Sequence, residues 1–179
     1  MKPFALTLAG LAALSLAACE QGKPRHLPPD PMAVAPAPAA AEPAAQPGGL
    51  STGLRKRLEP AGFFLDHAGA AVDPRSRQPA VTPAAQATVF DGFAFDPVAK
   101  VPAKGVDVVV DGKAYGAAYG AERPDVARFF KAPILVKVGF RAALPAGSLT
   151  IGPHTVVLRV VAADGKSFYE SPQIAFQAN

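Results

Sequence analysis

Chemistry in this chain has few side chains to draw on. There is one cysteine, Cys19, and there are three histidines, His26, His67 and His154. No two histidines stand at a ligand spacing such as His-x-x-x-His, so a zinc or copper site would need a cluster assembled by the fold, and no metal or other cofactor is expected. A serine nucleophile needs an activating base and an oxyanion hole. Ser148 lies near His154, but Ala146-Gly147-Ser148-Leu149 lacks the flanking pattern of a nucleophile elbow. Glycosidase chemistry needs two opposed carboxylates, whereas the acidic residues here fall mostly at turns, where capping accounts for them. Asp66, Asp96 and Asp164 could converge at one end of a β-sandwich and hold Ca²⁺, although Asx-turn chemistry accounts for each separately. The chain is therefore not expected to be an enzyme.

Binding has better candidates. Tyr115, Tyr119 and Tyr169 each offer a ring for sugar stacking or interface packing together with a hydroxyl, the alternative being core or sheet-edge duty. Arg123 and Asp125, two residues apart, can form a local salt bridge that fixes a crossover or can face a partner. Nucleic acid is not an expected partner. The formal net charge is only +4, and Lys and Arg alternate with Asp and Glu instead of forming one basic stripe with aromatics between them. The run Arg55-Lys56-Arg57 reads as solvated linker. A single cysteine excludes an intramolecular disulfide, so the folded part must be held by its core.

The elements around these residues fall into three parts. Residues 1–18 open with Met1-Lys2 and continue as an uncharged apolar run ending in small residues, the order of a secretory signal peptide. The run is shorter than the roughly 20 apolar residues that a membrane-spanning helix needs. Leu16-Ala17-Ala18-Cys19 resembles the lipobox of bacterial lipoproteins. The resemblance implies that the Cys19 thiol is joined to a diacylglyceryl group, that the leader is cut in front of it, and that Cys19 becomes the lipid-bearing first residue. Two acyl chains make a stable anchor in a bilayer. Glu20, where the family's inner-membrane retention signal has Asp, implies an outer membrane, facing periplasm or surface.

Residues 19–57 form the second part, expected to be the lipidated terminus and a disordered linker. Pro24, Pro28, Pro29, Pro31, Pro36, Pro38, Pro43 and Pro47 stand among alanines and end in Gly48-Gly49. Proline removes backbone donors and favours extended forms, so no core can form here. In polyproline II form such a tether reaches about 100 Å.

Residues 58–179 are the third part, read as an all-β antiparallel sandwich with one short helical crossover. Short alternating segments are separated by Gly, Pro and Asp. The clearest strand is read over residues 134–141, with Ile134, Val136, Val138 and Phe140 on one face. Val106, Val108 and Val110 make a second face, followed by a tight Asp111-Gly112 turn; Val156, Leu158 and Val160 make a third, with Asp164-Gly165 as the next turn. Residues 62–66 and 88–96 read as further strands, the latter with Val89, Asp91, Phe93 and Phe95 sharing a parity that a bulge near Asp91-Gly92 would reconcile. Residues 67–85 read as a long irregular loop. Ile174 and Phe176 end the chain in a strand that Ser171-Pro172 places at an edge or after a bulge. The helical candidate is residues 125–131, entered through Arg123-Pro124-Asp125 with Asp125 as N-cap, burying Phe129 or Phe130.

Gly92-Phe93-Ala94-Phe95-Asp96-Pro97, Asp111-Gly112, Tyr119-Gly120, Arg123-Pro124-Asp125-Val126, Gly139-Phe140, Leu144-Pro145 and Gly152-Pro153-His154-Thr155-Val156 occur in the order of a bacterial immunoglobulin-like module appended to cell-envelope proteins, which this region resembles. The resemblance implies an immunoglobulin-like sandwich in an accessory role and brings no chemistry to transfer. The function expected is that of a membrane-anchored envelope lipoprotein whose domain is a non-enzymatic interaction or assembly module. Its partners would be the bilayer, through acylated Cys19, and an envelope protein. A carbohydrate or peptidoglycan binder is the alternative, and an envelope hydrolase the third.

Overall fold

The computed structural model describes residues 46–179. The leader, Cys19, His26 and the tether up to residue 45 lie outside the described residues. In chain order the strands are β1 (Gln46–Pro47), β2 (Arg55–Lys56), β3 (Gly62–Ala68), β4 (Ala71–Val72), β5 (Val81–Thr82), β6 (Thr88–Asp96) and β7 (Val101–Pro102). They continue with β8 (Gly105–Val110), β9 (Lys113–Gly116), β10 (Ala118–Glu122), β11 (Lys137–Leu144), β12 (Gly152–Val161), β13 (Ser167–Glu170) and β14 (Ile174–Ala178). One helix, α1 (Pro124–Phe129), and a 3-10 turn over Pro133–Val136 lie between β10 and β11.

Two sheets result. The first runs β1-β9-β8-β12-β13-β2, with β14 also on β12 and β5 beyond it; the second runs β10-β11-β6-β3-β4, with β7 on β6. The long strands β3, β6, β11 and β10 follow the A-B-E-D order of an immunoglobulin sandwich, and β13/β14, β12, β8 and β9 follow G-F-C-C′. The all-β sandwich read from the sequence is the observed architecture.

Alternation builds the core. Val106, Val108 and Val110 from β8 and Val156, Leu158 and Val160 from β12 meet Phe90, Phe140 and Leu144 of the other sheet in one buried cluster. Each fully buried side chain of this kind contributes about 1.5–3 kcal/mol. Asp111 and Gly112 have φ of 47° and 83° and close β8 onto β9 through a two-residue turn, with Val110 opposite Lys113. The β12–β13 connection is wider, because Gly165 donates its N–H to the Ala162 carbonyl before β13 starts at Ser167.

Several expectations need correction. Ile134 and Val136 are not in a strand: Pro133 fixes the backbone into the 3-10 turn, Ile134 points to water, Leu135 is buried, and β11 starts three residues later at Lys137. No bulge interrupts β6. Its inward residues are Thr88, Phe90, Gly92, Ala94 and Asp96, and the extra residue is Asp66 on the facing β3, between the Leu65–Gly92 and His67–Asp91 pairs. Phe93 and Phe95 lie on the outer face, apolar there because α1 packs over it. In α1 the N-cap is Arg123 and Asp125 is in the first turn; Val126 is buried where Phe129 or Phe130 was expected to be. The helix also joins β10 to β11, neighbours in one sheet, so it is a hairpin connection and not a crossover between sheets. Residues 67–85 contain the short strands β4 and β5. The last strand, β14, is covered by β5 instead of forming an edge, and it follows β13 along β12 after a step at Ser171, whose hydroxyl accepts the Leu158 N–H at 2.9 Å.

The linker boundary also moves. Residues 46–57, expected to be disordered, cross the outer face of the first sheet as a belt from β1 on β9 to β2 on β13. Midway, Asp107 of β8, fully buried, accepts the N–H groups of Leu50 at 2.8 Å and Ser51 at 2.7 Å. Arg55-Lys56-Arg57 is therefore not free linker: Lys56 pairs with Glu170, and Arg57 donates to Ser167 Oγ at 2.7 Å and Tyr169 Oη at 3.0 Å.

Candidate functional site

The outer face of the second sheet carries an aromatic groove. Phe64 on β3 and Phe93 on β6 are cross-strand partners whose rings lie 6.1 Å apart and within 15° of parallel. The next position in that row is Gly139 of β11. A Cβ there would come within 2.9 Å of Ala121 and 3.2 Å of Arg123 Cγ, so the missing side chain gives the arginine stem its place on the sheet. Pro124 then starts α1 immediately after Arg123, and Val126 anchors the helix against Phe95, Leu135 and Val138. This sets Phe130 edge-on to Phe95 at 5.1 Å and to Phe93 at 6.2 Å, with Phe129 edge-on to Phe130 at 5.0 Å. Phe129 remains 81% exposed. The groove between these rings encloses about 400 Å³, toward the small end of ligand pockets.

One end of the groove is charged. The bulge at Asp66 swings its carboxylate to Arg123, whose Nη1 donates to Asp66 Oδ2 at 2.6 Å. Arg123 also grips Asp125 in a two-pronged bond, Nε to Oδ1 at 3.0 Å and Nη2 to Oδ2 at 2.8 Å. Its guanidinium carbon lies 5.3 Å from the Phe93 ring centre, a cation–π distance. The hydrogen bonds from Arg123 hold the Asp125 carboxyl down at about 2, and the same bonds, with the Asp66 charge, raise Arg123 despite partial burial.

The structure thus brings Arg123 and Asp125 together and adds Asp66. The three tyrosines are elsewhere and are corrected as ring platforms. Tyr115 is buried under Lys113, and Tyr169 is completely buried. The Tyr169 hydroxyl donates to Asp96 Oδ1 at 2.9 Å; burial and that carboxylate push it up to about 12. Tyr119, half-buried, donates to the Ala94 carbonyl at 2.7 Å and accepts the Ala103 N–H at 2.9 Å, and burial pushes it up to about 12 as well. Tyr119 and Tyr169 tie strands and loops together, and Tyr115 is part of the core.

The two described histidines face carboxylates. His154 is buried, with Nδ1 2.6 Å from Asp111 Oδ2 and Nε2 2.7 Å from the Thr150 carbonyl, so neither ring nitrogen is left to serve as a base for Ser148. His67 Nδ1 lies 2.7 Å from Asp91 Oδ1. Of the aspartates weighed for calcium, Asp66 pairs with Arg123, Asp96 turns inward to the Val98, Ala99 and Ala163 N–H groups, and Asp164 accepts the Lys166 N–H. Among the described residues no group of three His, Cys, Asp or Glu could hold a metal ion, and no helix is long and apolar enough to cross a membrane.

Sequence reasoning missed Phe64, Phe93, Phe129 and Phe130. A signal was present: a strand apolar on both faces, followed later by a Phe-Phe pair on a helix too short to bury both. Compared with known proteins, the chain matches no family model, no curated protein and no solved structure.

Proposed function

We propose that this chain is a lipid-anchored protein of a bacterial cell envelope, and that its β-sandwich is a non-enzymatic interaction module that takes an envelope protein partner in the aromatic groove. One observation carries the reading: Phe64, Phe129 and Phe130 stay open to water on a sheet face beside Arg123, although the opposite outer face of the same domain is covered. Contiguous exposed aromatics next to a charged rim mark interaction surfaces, and Phe and Arg are common interface anchors. The lipobox-like Leu16-Ala17-Ala18-Cys19 supports the anchor. A proline-rich tether between anchor and domain confines the groove to a fixed search radius and raises its effective concentration near the target.

The test is site-specific photocrosslinking from position 129 in intact cells. A discrete protein adduct is expected, lost with Phe64→Ser and retained when an exposed residue away from the groove, such as Gln173, is changed. Cys19→Ala should move the protein from the membrane to the soluble fraction. Membrane retention of that variant, or crosslinking indifferent to Phe64, would count against the proposal. A glycan reading has one observation in its favour, the near-parallel Phe64 and Phe93 rings beside two carboxylates; pull-down on isolated cell wall, reduced by Phe64→Ser, would favour it instead.

A further inference from the structure

The charges at the polar end of the groove limit what can lie against it, which bears on partners if the groove is the interaction site. It holds three formal charges, Asp66 and Asp125 with the Arg123 guanidinium between them, which sum to one negative charge. Three of the five Arg123 N–H groups are used on those carboxylates, so the arginine is largely neutralised where it sits. Asp66 meets Arg123 through Oδ2 alone, and Asp125 is more than half exposed. The unused capacity at this end is therefore mainly acceptor capacity.

The other end has the opposite requirement. Phe64, Phe93 and Phe129 present carbon only, and their burial is favourable only for an apolar guest. A purely apolar guest would seal the Asp66 carboxylate from water without a donor in return, which is costly. An acidic guest would meet a like charge. A guest that places a cation beside an apolar side chain satisfies both ends.

The molecule shows how its outer faces take a chain. On the first sheet, a turn that begins at residues 49–51 lies over β8 and delivers two N–H donors to an outward carboxylate, Asp107. Asp66 is an outward carboxylate of the second sheet that stands beside the open rings, without a covering segment among the described residues.

We infer that the groove binds a segment of a partner protein in which a bulky apolar side chain adjoins a lysine or arginine. The apolar group enters between Phe64, Phe93 and Phe129, and the cation lies against Asp66 and Asp125. Charge of this kind contributes more to selection and capture rate than to raw affinity.

The experiment uses full-length protein in detergent micelles and an array of short capped peptides with a central Phe or Leu flanked by Lys, Arg, Ser or Glu. Polysaccharide and peptidoglycan fragments are spotted alongside, and affinities are measured by fluorescence anisotropy. Lys- and Arg-flanked peptides should bind about tenfold more tightly than Glu-flanked ones, the equivalent of one modest charge pair, and the ratio should shrink with added salt. The double variant Asp66→Asn, Asp125→Asn turns the rim from one negative to one positive formal charge, so the preference should invert. A near-ultraviolet circular dichroism spectrum and a protease resistance like those of the wild type show that the double variant is folded. No dependence on the flanking charge, no inversion, or binding of glycans in place of peptides would overturn the inference. If Phe129→Ser abolishes peptide binding while charge preference is absent, this inference falls and the groove stands as the interaction site. If Phe129→Ser changes nothing, the site itself is wrong.

Discussion

Across the outer face of the first sheet runs a belt of the chain's own residues 46–57, pinned by β1 at one edge, Asp107 in the middle and β2 at the other edge. Across the outer face of the second, among the described residues, lie α1, six residues long, and the 3-10 turn that follows it, which cover Phe95 and leave Phe64, Phe129 and Phe130 open to water. Both faces carry apolar residues next to carboxylates. On the belt's sheet, Val109 is buried and Asp107 receives two backbone N–H donors from the belt; beside α1, Asp66 shares an arginine with Asp125 and the rings stay open. An outer sheet face with this composition is stable when covered, and the domain covers one face itself. The other is the face on which something else can act.

The sharpest way to break this contrast is to remove the belt's pin. Asp107→Ala leaves the Leu50 and Ser51 N–H groups without their acceptor and should cost about 2–4 kcal/mol, read as a lower urea midpoint. Limited proteolysis should then cut near residue 54, while peptide binding in the groove stays within experimental error. A stable variant with a protected belt would show that side-chain packing, and not Asp107, holds the first face closed.

The floor of the groove is tested next. A methyl at position 92 would lie 2.1 Å from the Phe64 carbonyl oxygen and 3.1 Å from Leu65 Cα, both backbone atoms that cannot swing away. Gly92→Ala should therefore cost about 1–3 kcal/mol by overpacking. It should also weaken binding at the groove, because Phe64 and the Asp66 bulge must shift with the strand. Wild-type binding and stability together would mean that β3 has slack there.

A smaller effect sharpens the belt side. The Ser51 hydroxyl is buried and has no hydrogen-bond partner, although its N–H is satisfied by Asp107. Ser51→Ala should keep the belt in place and raise stability by about 0.5–1.5 kcal/mol, since a buried polar group without a partner is removed. A loss of stability would indicate an ordered water on that hydroxyl.

How far these features were legible depends on whether a side chain or a backbone group makes them. Val106, Val108 and Val110 announced a strand because their side chains alternate with the chain, and Asp111-Gly112 announced its turn because both positions need positive φ. Pro124 placed the start of α1 to within a residue for the same local reason, and its end two residues too late. The belt left no such trace: it is held by main-chain N–H groups, and Gly49, which reads as flexible linker, is there because a Cβ would lie 2.4 Å from Asp107 Oδ2. The groove was misread for a different reason. Phe93 and Phe95 face a cover that arrives some thirty residues later in the chain, so on β6 alone they look like a register error. Tyr169 looked available because its partners, Arg57 and Asp96, are distant in sequence.

The smallest expected effect concerns a residue that belongs to neither outer face, and it separates core stability from both. Asp107 and Asp111 stand near opposite ends of β8 and its turn; the first takes the belt, the second takes His154. A carbonyl and an ionised carboxylate can only accept, so Nε2–H donates to Thr150 and Nδ1–H to Asp111, and the ring carries both protons and a charge. Burial opposes that charge, but the Asp111 bond, the Thr150 bond and the Asp111 charge outweigh it and raise the histidine above its ordinary 6.5. Burial likewise opposes ionised Asp111, and the bonds from His154 and Thr155 hold it below its ordinary 3.8. Because the folded histidine has the higher value, its contribution is complete below about pH 6.5 and is lost as pH rises through the folded value. The Asp111 contribution is present above about pH 3.8 and is lost as pH falls through its own folded value. Urea midpoints should therefore decline from mildly acidic toward alkaline pH. His154→Gln, which keeps a donor but cannot titrate, should flatten the decline while leaving the protease resistance of the belt and the peptide preference of the groove unchanged. A decline that survives His154→Gln would place the titrating group elsewhere, and a change in either face would couple this end of β8 to a surface from which the geometry separates it.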